Sequence, residues 1–95
     1  MNKSRIYVDF NEMISDSEVL LSQKDTKVDS NGNEVVFIDG LNVSVYMDDE
    51  DENGNRDNLI AEGIAIRNYT NLYPIARWLL KIDTKGIRHE SDEIS

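Results

Sequence analysis

The chain has 95 residues and a net charge of −9, and its 39% hydrophobic but only 7% aromatic content leaves a modest core and little apolar surface for a deep catalytic cleft. We therefore expect one soluble domain that is not an enzyme. The absence of cysteine excludes a disulfide framework, a thiolate metal site and a thiol nucleophile. No stretch has the length of a signal peptide's apolar region or the ~18 apolar residues of a membrane span, so we expect a cytoplasmic protein without a membrane partner.

The excess negative charge lies in two segments. Residues 48–57 hold six carboxylates against Arg56, and residues 90–93 hold three more, so these segments account for eight of the nine excess charges. The rest of the chain is close to neutral. This distribution disfavours direct binding to nucleic acid phosphate and favours a basic protein partner.

The first two apolar segments predict strands. Residues 5–10 alternate between apolar and polar side chains, which is the period of a half-buried strand. The apolar run 19–21 favours a second strand. A single helical turn is the alternative there, because Ser15 and Glu18 have the spacing of a capping box.

The middle of the chain predicts a loop followed by the clearest strand. Residues 24–33 are polar and include Asn31-Gly32, a dipeptide that supplies the positive φ of a tight turn. The apolar run 35–38 follows, and apolar and polar residues then alternate over 41–48. Such alternation is typical of a strand with one buried face.

Two further strands are predicted in the second half. Residues 59–67 are apolar and β-branched, and Gly63 within them indicates a bulge or a sharp bend. Pro74 lies at an element start or an edge because it cannot donate to a ladder. Residues 76–82 alternate like a strand, although apolar residues across 72–79 also recur at helical spacing, which leaves a helix as the alternative.

These elements predict an all-β fold, namely a small five-stranded antiparallel barrel of Src-homology-3-like type with at most one short helical turn. We expect a single β domain over residues 1–89 and an acidic, disordered tail over residues 90–95. The expected core residues are Ile6, Val8, Phe10, Val43, Val45, Ile64, Ile66, Trp78, Leu80 and Ile82.

Three stretches of the chain resemble small uncharacterised bacterial proteins of β-barrel type. They are Ile6–Asn11, Val45–Asp51 with Gly54 and Asn55, and Ile87–Ser91. The resemblance covers most of the chain. It implies a β fold and a bacterial cytoplasmic setting, and it implies no activity for any residue.

The acidic segment between the predicted strands has part of the pattern of a calcium-binding loop. Its oxygen-bearing residues at alternate positions are Asp49, Asp51, Asn53, Asn55 and Asp57. Gly54 stands where such loops turn sharply, but Ile60 stands where they need a bidentate glutamate. The alternative interpretation is a solvated hairpin loop, in which Asp, Asn and Gly are present because they form turns.

Other kinds of catalytic or cofactor site find no support. His89 is the single histidine and lies in a charged tail, so the sequence offers neither a zinc site nor a catalytic triad. The glycines stand singly and form no phosphate-binding motif. We expect no cofactor, apart from weak Ca²⁺ binding as the alternative.

The leading hypothesis is a non-enzymatic interaction or regulatory module. Its contact surface is an outward sheet face that carries Tyr7, Tyr46 or Arg67, and the acidic loop attracts a basic protein partner. A calcium-binding domain and an acidic mimic of nucleic acid are the alternatives. The mimic is weakened by charge that is gathered in two places rather than spread along one face.

Overall fold

The computed structural model describes residues 3–70 and 74–93, and the all-β prediction is confirmed within them. A mixed sheet has the strand order β1-β6-β7-β8-β3-β2, with β9 paired to β7, while β4 and β5 form a separate hairpin. The strands are β1 (Ile6–Tyr7), β2 (Met13–Ser15), β3 (Glu18–Ser22), β4 (Thr26–Val28), β5 (Glu34–Val36), β6 (Asn42–Met47), β7 (Leu59–Arg67), β8 (Trp78–Ile82) and β9 (Arg88–His89). A 3-10 helix, Glu90–Glu93, follows β9.

The core lies on one face of this sheet and contains most of the predicted residues. Eight of the ten predicted side chains are buried in one cluster, and Ile64 and Ile66 are the exceptions. The register pairs Ala61 with Val45, so the alanines of β7 face the core. Ile64 and Ile66 lie on the opposite face, where Ile64 is 37% exposed, because successive side chains of a strand alternate between faces.

Gly63 marks a close approach of two strands rather than the predicted bulge. Its pairing is continuous with Val43 of β6 and with Ile82 of β8. A Cβ atom at this position would lie 2.0 Å from the carbonyl oxygen of Lys81. The glycine is therefore needed because the backbone of β8 passes too close for any side chain.

The predicted strand over 76–82 is confirmed as β8. Trp78, Leu80 and Ile82 are buried on the core face, and Leu79 is buried on the opposite face. The part of the helical alternative that rests on residue 72 lies outside the described residues. At β3 the strand prediction is also confirmed, and the Ser15 and Glu18 side chains hydrogen-bond across a two-residue hairpin turn at 2.9 Å rather than capping a helix.

The predicted five-stranded barrel is not confirmed, because the sheet does not close. Strand β1 joins β6 in parallel, which leaves Tyr7 with its carbonyl facing away from β6. At the other end of the sheet, the register of β3 slips around Leu21. The ammonium group of Lys27 donates to both carbonyl oxygens, at 2.5 Å to Tyr7 and 3.1 Å to Leu21. The gap between β1 and β3, which we name the seam, is thus bridged by a lysine side chain and not by a strand ladder.

Residues 90–93 form the 3-10 helix, whereas the sequence predicts a disordered tail over 90–95, of which 94 and 95 lie outside the described residues. The 3-10 helix follows directly on β9, whose residues Arg88 and His89 pair with Ile60 and Leu59 of β7. Arg88 also donates to the Glu62 carboxylate, which accepts a second bond from Arg5. These contacts fix β9 to the sheet and so determine where the helix lies.

Candidate functional site

The acidic loop between β6 and β7 is an ordered hairpin. Its stem continues beyond the two strands. The Asp57 N–H donates to the Asp49 carbonyl at 3.0 Å, and the backbones of Glu50 and Arg56 pair in an isolated antiparallel β-bridge. Residues 50–56 are all exposed. The hairpin therefore presents its carboxylates to solvent at one end of the sheet.

The C-terminal helix is held against this hairpin. The Asp57 carboxylate accepts the Ser91 N–H at 3.0 Å and the Ser91 hydroxyl at 2.8 Å. The His89 ring bonds to the Asp49 carboxylate at 2.8 Å. Asn58, which is fully buried, accepts the Glu90 N–H with its carbonyl and the Asp49 N–H with its side-chain oxygen.

These contacts merge the two acidic segments into one surface, which we name the acidic pole and define as residues 48–57 and 90–93. It holds nine carboxylates and Arg56, so it contains eight of the nine excess negative charges of the chain. The two acidic segments, which are separate in the sequence, are therefore adjacent in the structure. A single pole of this charge produces a negative electrostatic field at one end of the sheet.

Hydrogen bonds at the pole shift the pKa values of Asp49, Asp57 and the neighbouring His89. The hydrogen bond to Asp49, with help from the charges of Asp57 and Asp92, raises the pKa of His89 above its ordinary value. Conversely, the bond to His89 lowers the pKa of Asp49, and the bonds from Ser91 lower the pKa of Asp57. The contacts between hairpin and helix are therefore strongest where the imidazolium and both carboxylates are charged.

The proposed calcium ligands do not converge on one point. Asp49 and Asp57 face the C-terminal helix, while Asp51 accepts the N–H groups of Asn53 and Asn55, both at 2.9 Å. Among residues 3–70 and 74–93, no group of three or more His, Cys, Asp or Glu side chains is placed to hold a metal ion. The Asp51 carboxylate thus supports the turn, while those of Asp49 and Asp57 bind His89 of β9 and Ser91 of the 3-10 helix.

The same turn occurs a second time, at residues 29–33. Asp29-Ser30-Asn31-Gly32-Asn33 and Asp51-Glu52-Asn53-Gly54-Asn55 share four of five residues. In each turn the aspartate accepts two side-chain bonds from the backbone, the glycine has positive φ (84° and 78°), and the first and last residues pair. This is a three-residue hairpin loop with the glycine at its left-handed position. Its recurrence shows that turn formation is sufficient to account for Asp51, Asn53, Gly54 and Asn55.

Two of the three predicted partner-contact residues lie together in the structure, and the third lies far from them. Tyr7 and Tyr46 lie on neighbouring strands with their rings in a T-shaped contact, 5.6 Å between centroids, and Tyr7 is 44% exposed. Arg67 stacks over Trp78 at the other end of β7. Since Tyr46 pairs with Ile60, Arg67 is roughly 23 Å away along the strand, at about 3.3 Å per residue. The tyrosine pair instead lies next to the acidic pole.

An apolar groove of about 330 Å³ opens at the seam beside Lys27. Tyr7, Leu20 and Leu21 contribute to its wall, and Glu12 lies at its rim. Burial lowers the pKa of Lys27, and the charge of Glu12 partly opposes this shift. The ammonium group is already engaged by two carbonyls, which assigns it a structural role at the seam.

Sequence reasoning missed His89, Ser91, Asn58 and Lys27. The sequence predicts a free tail that contains Ser91, and it indicates no partner for His89. The signal that could have placed Ser91 is the Arg88-His89 pair directly before this tail, which forms β9. No family model, no curated protein and no solved structure matches the chain. Within the described residues, none of the helical structure is long and apolar enough to cross a membrane.

Proposed function

We propose that this protein is a non-enzymatic interaction module that binds a basic protein partner through the acidic pole and the adjacent tyrosine pair. The observation that carries the proposal is the joining of the two acidic segments by Asp57 and Ser91. This places eight excess charges at one end of a body that is otherwise almost neutral. Concentrated charge of this kind accelerates encounter with a complementary partner.

The two tyrosines supply apolar contact area, which the charged pole lacks. Tyr46 precedes the acidic segment by two residues and contacts Tyr7 on the neighbouring strand. Tyrosine offers a large contact area with a polar tip, and it is enriched among the residues that dominate binding energy. In this proposal the pole governs the rate of association, and the tyrosine pair governs the rate of dissociation.

The proposal is tested with two variants of equal charge. Glu50→Gln/Glu52→Gln removes two carboxylates from the pole, and Asp16→Asn/Glu34→Gln removes two from the body. A partner is first captured in cells of the source organism by a photo-crosslinking residue at position 52, purified and then used in stopped-flow association measurements. The pole variant should slow association several-fold and flatten its salt dependence, while the body variant should leave both unchanged.

Two results would contradict this proposal. The first is an equal loss of association rate in both variants, which would show that total charge matters and the pole does not. The second is a captured partner that is not basic. Tyr46→Ala should raise the dissociation rate and leave association unchanged, which separates the roles of the two parts.

A second candidate function is an acidic mimic that occupies the nucleic-acid site of its partner. The observation that favours it is the continuity of the pole, since mimicry requires negative charge on one face. Competition distinguishes the two functions. A mimic displaces an oligonucleotide from the captured partner at a stoichiometry of one to one, whereas an ordinary interaction module leaves the oligonucleotide bound.

A further inference from the structure

The two matching turns each contain an Asn-Gly step, which is chemically labile. The backbone nitrogen of the glycine, after losing its proton, attacks Cγ of the asparagine. A C–N bond forms, the side-chain amide departs as ammonia, and a five-membered succinimide results. Water then opens the ring to aspartate or isoaspartate. Overall, one water is consumed, one ammonia is released and the neutral amide becomes a carboxylate, which adds one negative charge. The reaction needs no cofactor and no oxidant.

Both native turns restrain the attacking nitrogen. The Gly32 N–H donates to the Asp29 carbonyl at 3.1 Å, and the Gly54 N–H donates to the Asp51 carbonyl at the same distance. The reaction therefore requires each turn to open first. Because the local sequences are nearly identical, a difference in reaction rate reports a difference in the free energy of opening.

The first turn is tied to the sheet. The Asn31 side-chain amide donates to the Ser4 hydroxyl. Ser30 donates its N–H to the Arg5 carbonyl at 2.7 Å, and its hydroxyl accepts the Arg5 N–H at 2.9 Å. Opening this turn breaks these bonds as well as its own.

The second turn has no such attachment. Among the described residues, 51–55 form hydrogen bonds only with one another. The next pairing along the hairpin is the backbone β-bridge between Glu50 and Arg56. All of these residues are exposed. We propose that Asn53 is a deamidation site of this chain, and that Asn31, in the same kind of turn, is protected by its attachment to Ser4 and Arg5.

The charge of the acidic pole acts against this difference. Carboxylates near Gly54 disfavour the loss of its amide proton, which slows attack on Asn53. They are exposed, however, so salt screens them. The comparison of the two sites is therefore made at high ionic strength, where the attachment of the turns decides the rates.

This inference does not depend on the proposed function, but it alters the pole. Deamidation of Asn53 gives the pole a ninth excess charge, and isoaspartate adds a methylene to the backbone of the turn. The pairing of Asp51 with Asn55 cannot survive that insertion unchanged. The modified chain presents a more acidic and less ordered hairpin.

The test is peptide mapping by mass spectrometry after incubation of the full chain in mildly alkaline buffer at high salt. Each bond that holds a turn shut slows its opening by about fivefold, so Asn53 should convert at least about fivefold faster than Asn31. Ser4→Ala breaks only the Asn31 contact and should accelerate Asn31 alone. Ser4→Ala/Ser30→Ala should accelerate Asn31 further, to within about fivefold of the rate of Asn53, because the bond from the Ser30 N–H to the Arg5 carbonyl remains.

The unchanged rate of Asn53 in these variants is the internal control for overall folding. Equal rates at the two sites in the native chain would overturn the proposal. So would failure of Asn53 to convert, or an Asn31 rate that stays constant in both serine variants.

Discussion

Asp57 accepts two hydrogen bonds from Ser91, one from its backbone N–H and one from its hydroxyl, across 34 residues of sequence. This contact fixes the C-terminal helix to the acidic hairpin. Like charges meet there, so the contact works against repulsion among the nine carboxylates of the pole. The geometry is maintained by hydrogen bonds and by the His89 ring, which is the one titratable cation among these contacts.

Removal of the Ser91 hydroxyl should weaken the attachment of the helix. Ser91→Ala keeps the net charge and the backbone bond, and loses one hydrogen bond to a carboxylate. We expect the Tm to fall by about 2–4 °C. Ser17→Ala is the matched control and should leave the Tm unchanged, because Ser17 is an exposed turn residue whose hydroxyl donates no bond to any of the described residues. Thermal unfolding by circular dichroism measures both, and equal Tm values for the two variants would show that the hydroxyl bond contributes nothing.

Stability should pass through a maximum in mildly acidic solution. His89 has a raised pKa in the folded state. Its contribution to the free energy of unfolding is therefore complete below the ordinary pKa of 6.5, and it is lost as the pH rises through the folded-state pKa. Asp49 and Asp57 have lowered pKa values, so their contribution is present above the ordinary 3.8 and is lost as the pH falls through the folded values. Urea unfolding across this range measures the profile.

The variant His89→Gln tests whether His89 causes the fall in stability near neutral pH, which is the neutral limb of that profile. It removes the imidazolium, so stability should stop falling as the pH rises from about 6 to 8, while the acid limb is retained. An unchanged slope on the neutral limb would mean that His89 does not interact with Asp49 in solution.

Lys27 should contribute much more to the free energy of unfolding than an ordinary exposed lysine does. Lys27→Met retains the apolar stem but leaves the carbonyls of Tyr7 and Leu21 without their donor. We expect the free energy of unfolding to fall by about 1–3 kcal/mol. Lys24→Met removes a neighbouring exposed lysine and should change the free energy of unfolding by less than about 0.5 kcal/mol. Urea titration compares them, and similar values would refute the bridging role of Lys27.

Local patterns predicted the central strands but not how the ends of the sheet pair. Alternation over 41–48 and 76–82 located β6 and β8, because burial of one face imposes a period of two. The parallel pairing of Ile6 with Val45 leaves no local signal, since a short parallel strand has the same pattern as an antiparallel one. The seam and its lysine could not be predicted for that reason.

The candidate site shows the same limit. The sequence located the acidic loop, and it named Tyr7, Tyr46 and Arg67 as contact residues from residue type alone, without indicating that the two tyrosines touch. It gave His89 no partner, because Asp49 is 40 residues away and only the docking of β9 on β7 brings the two together. The central part of the calcium pattern, residues 51–55, is a turn sequence that the chain uses twice.

The most direct test of the acidic pole is the backbone order of residues 90–93, measured by ¹⁵N relaxation on the native chain and on Asp57→Asn. If the pole exists, the native order parameters of these four residues should approach the value of about 0.85 for rigid backbone, and the substitution should lower them. Values below about 0.6 throughout 90–93 in the native chain would describe a free tail. That result would contradict the joining of the two acidic segments, on which the proposed function rests.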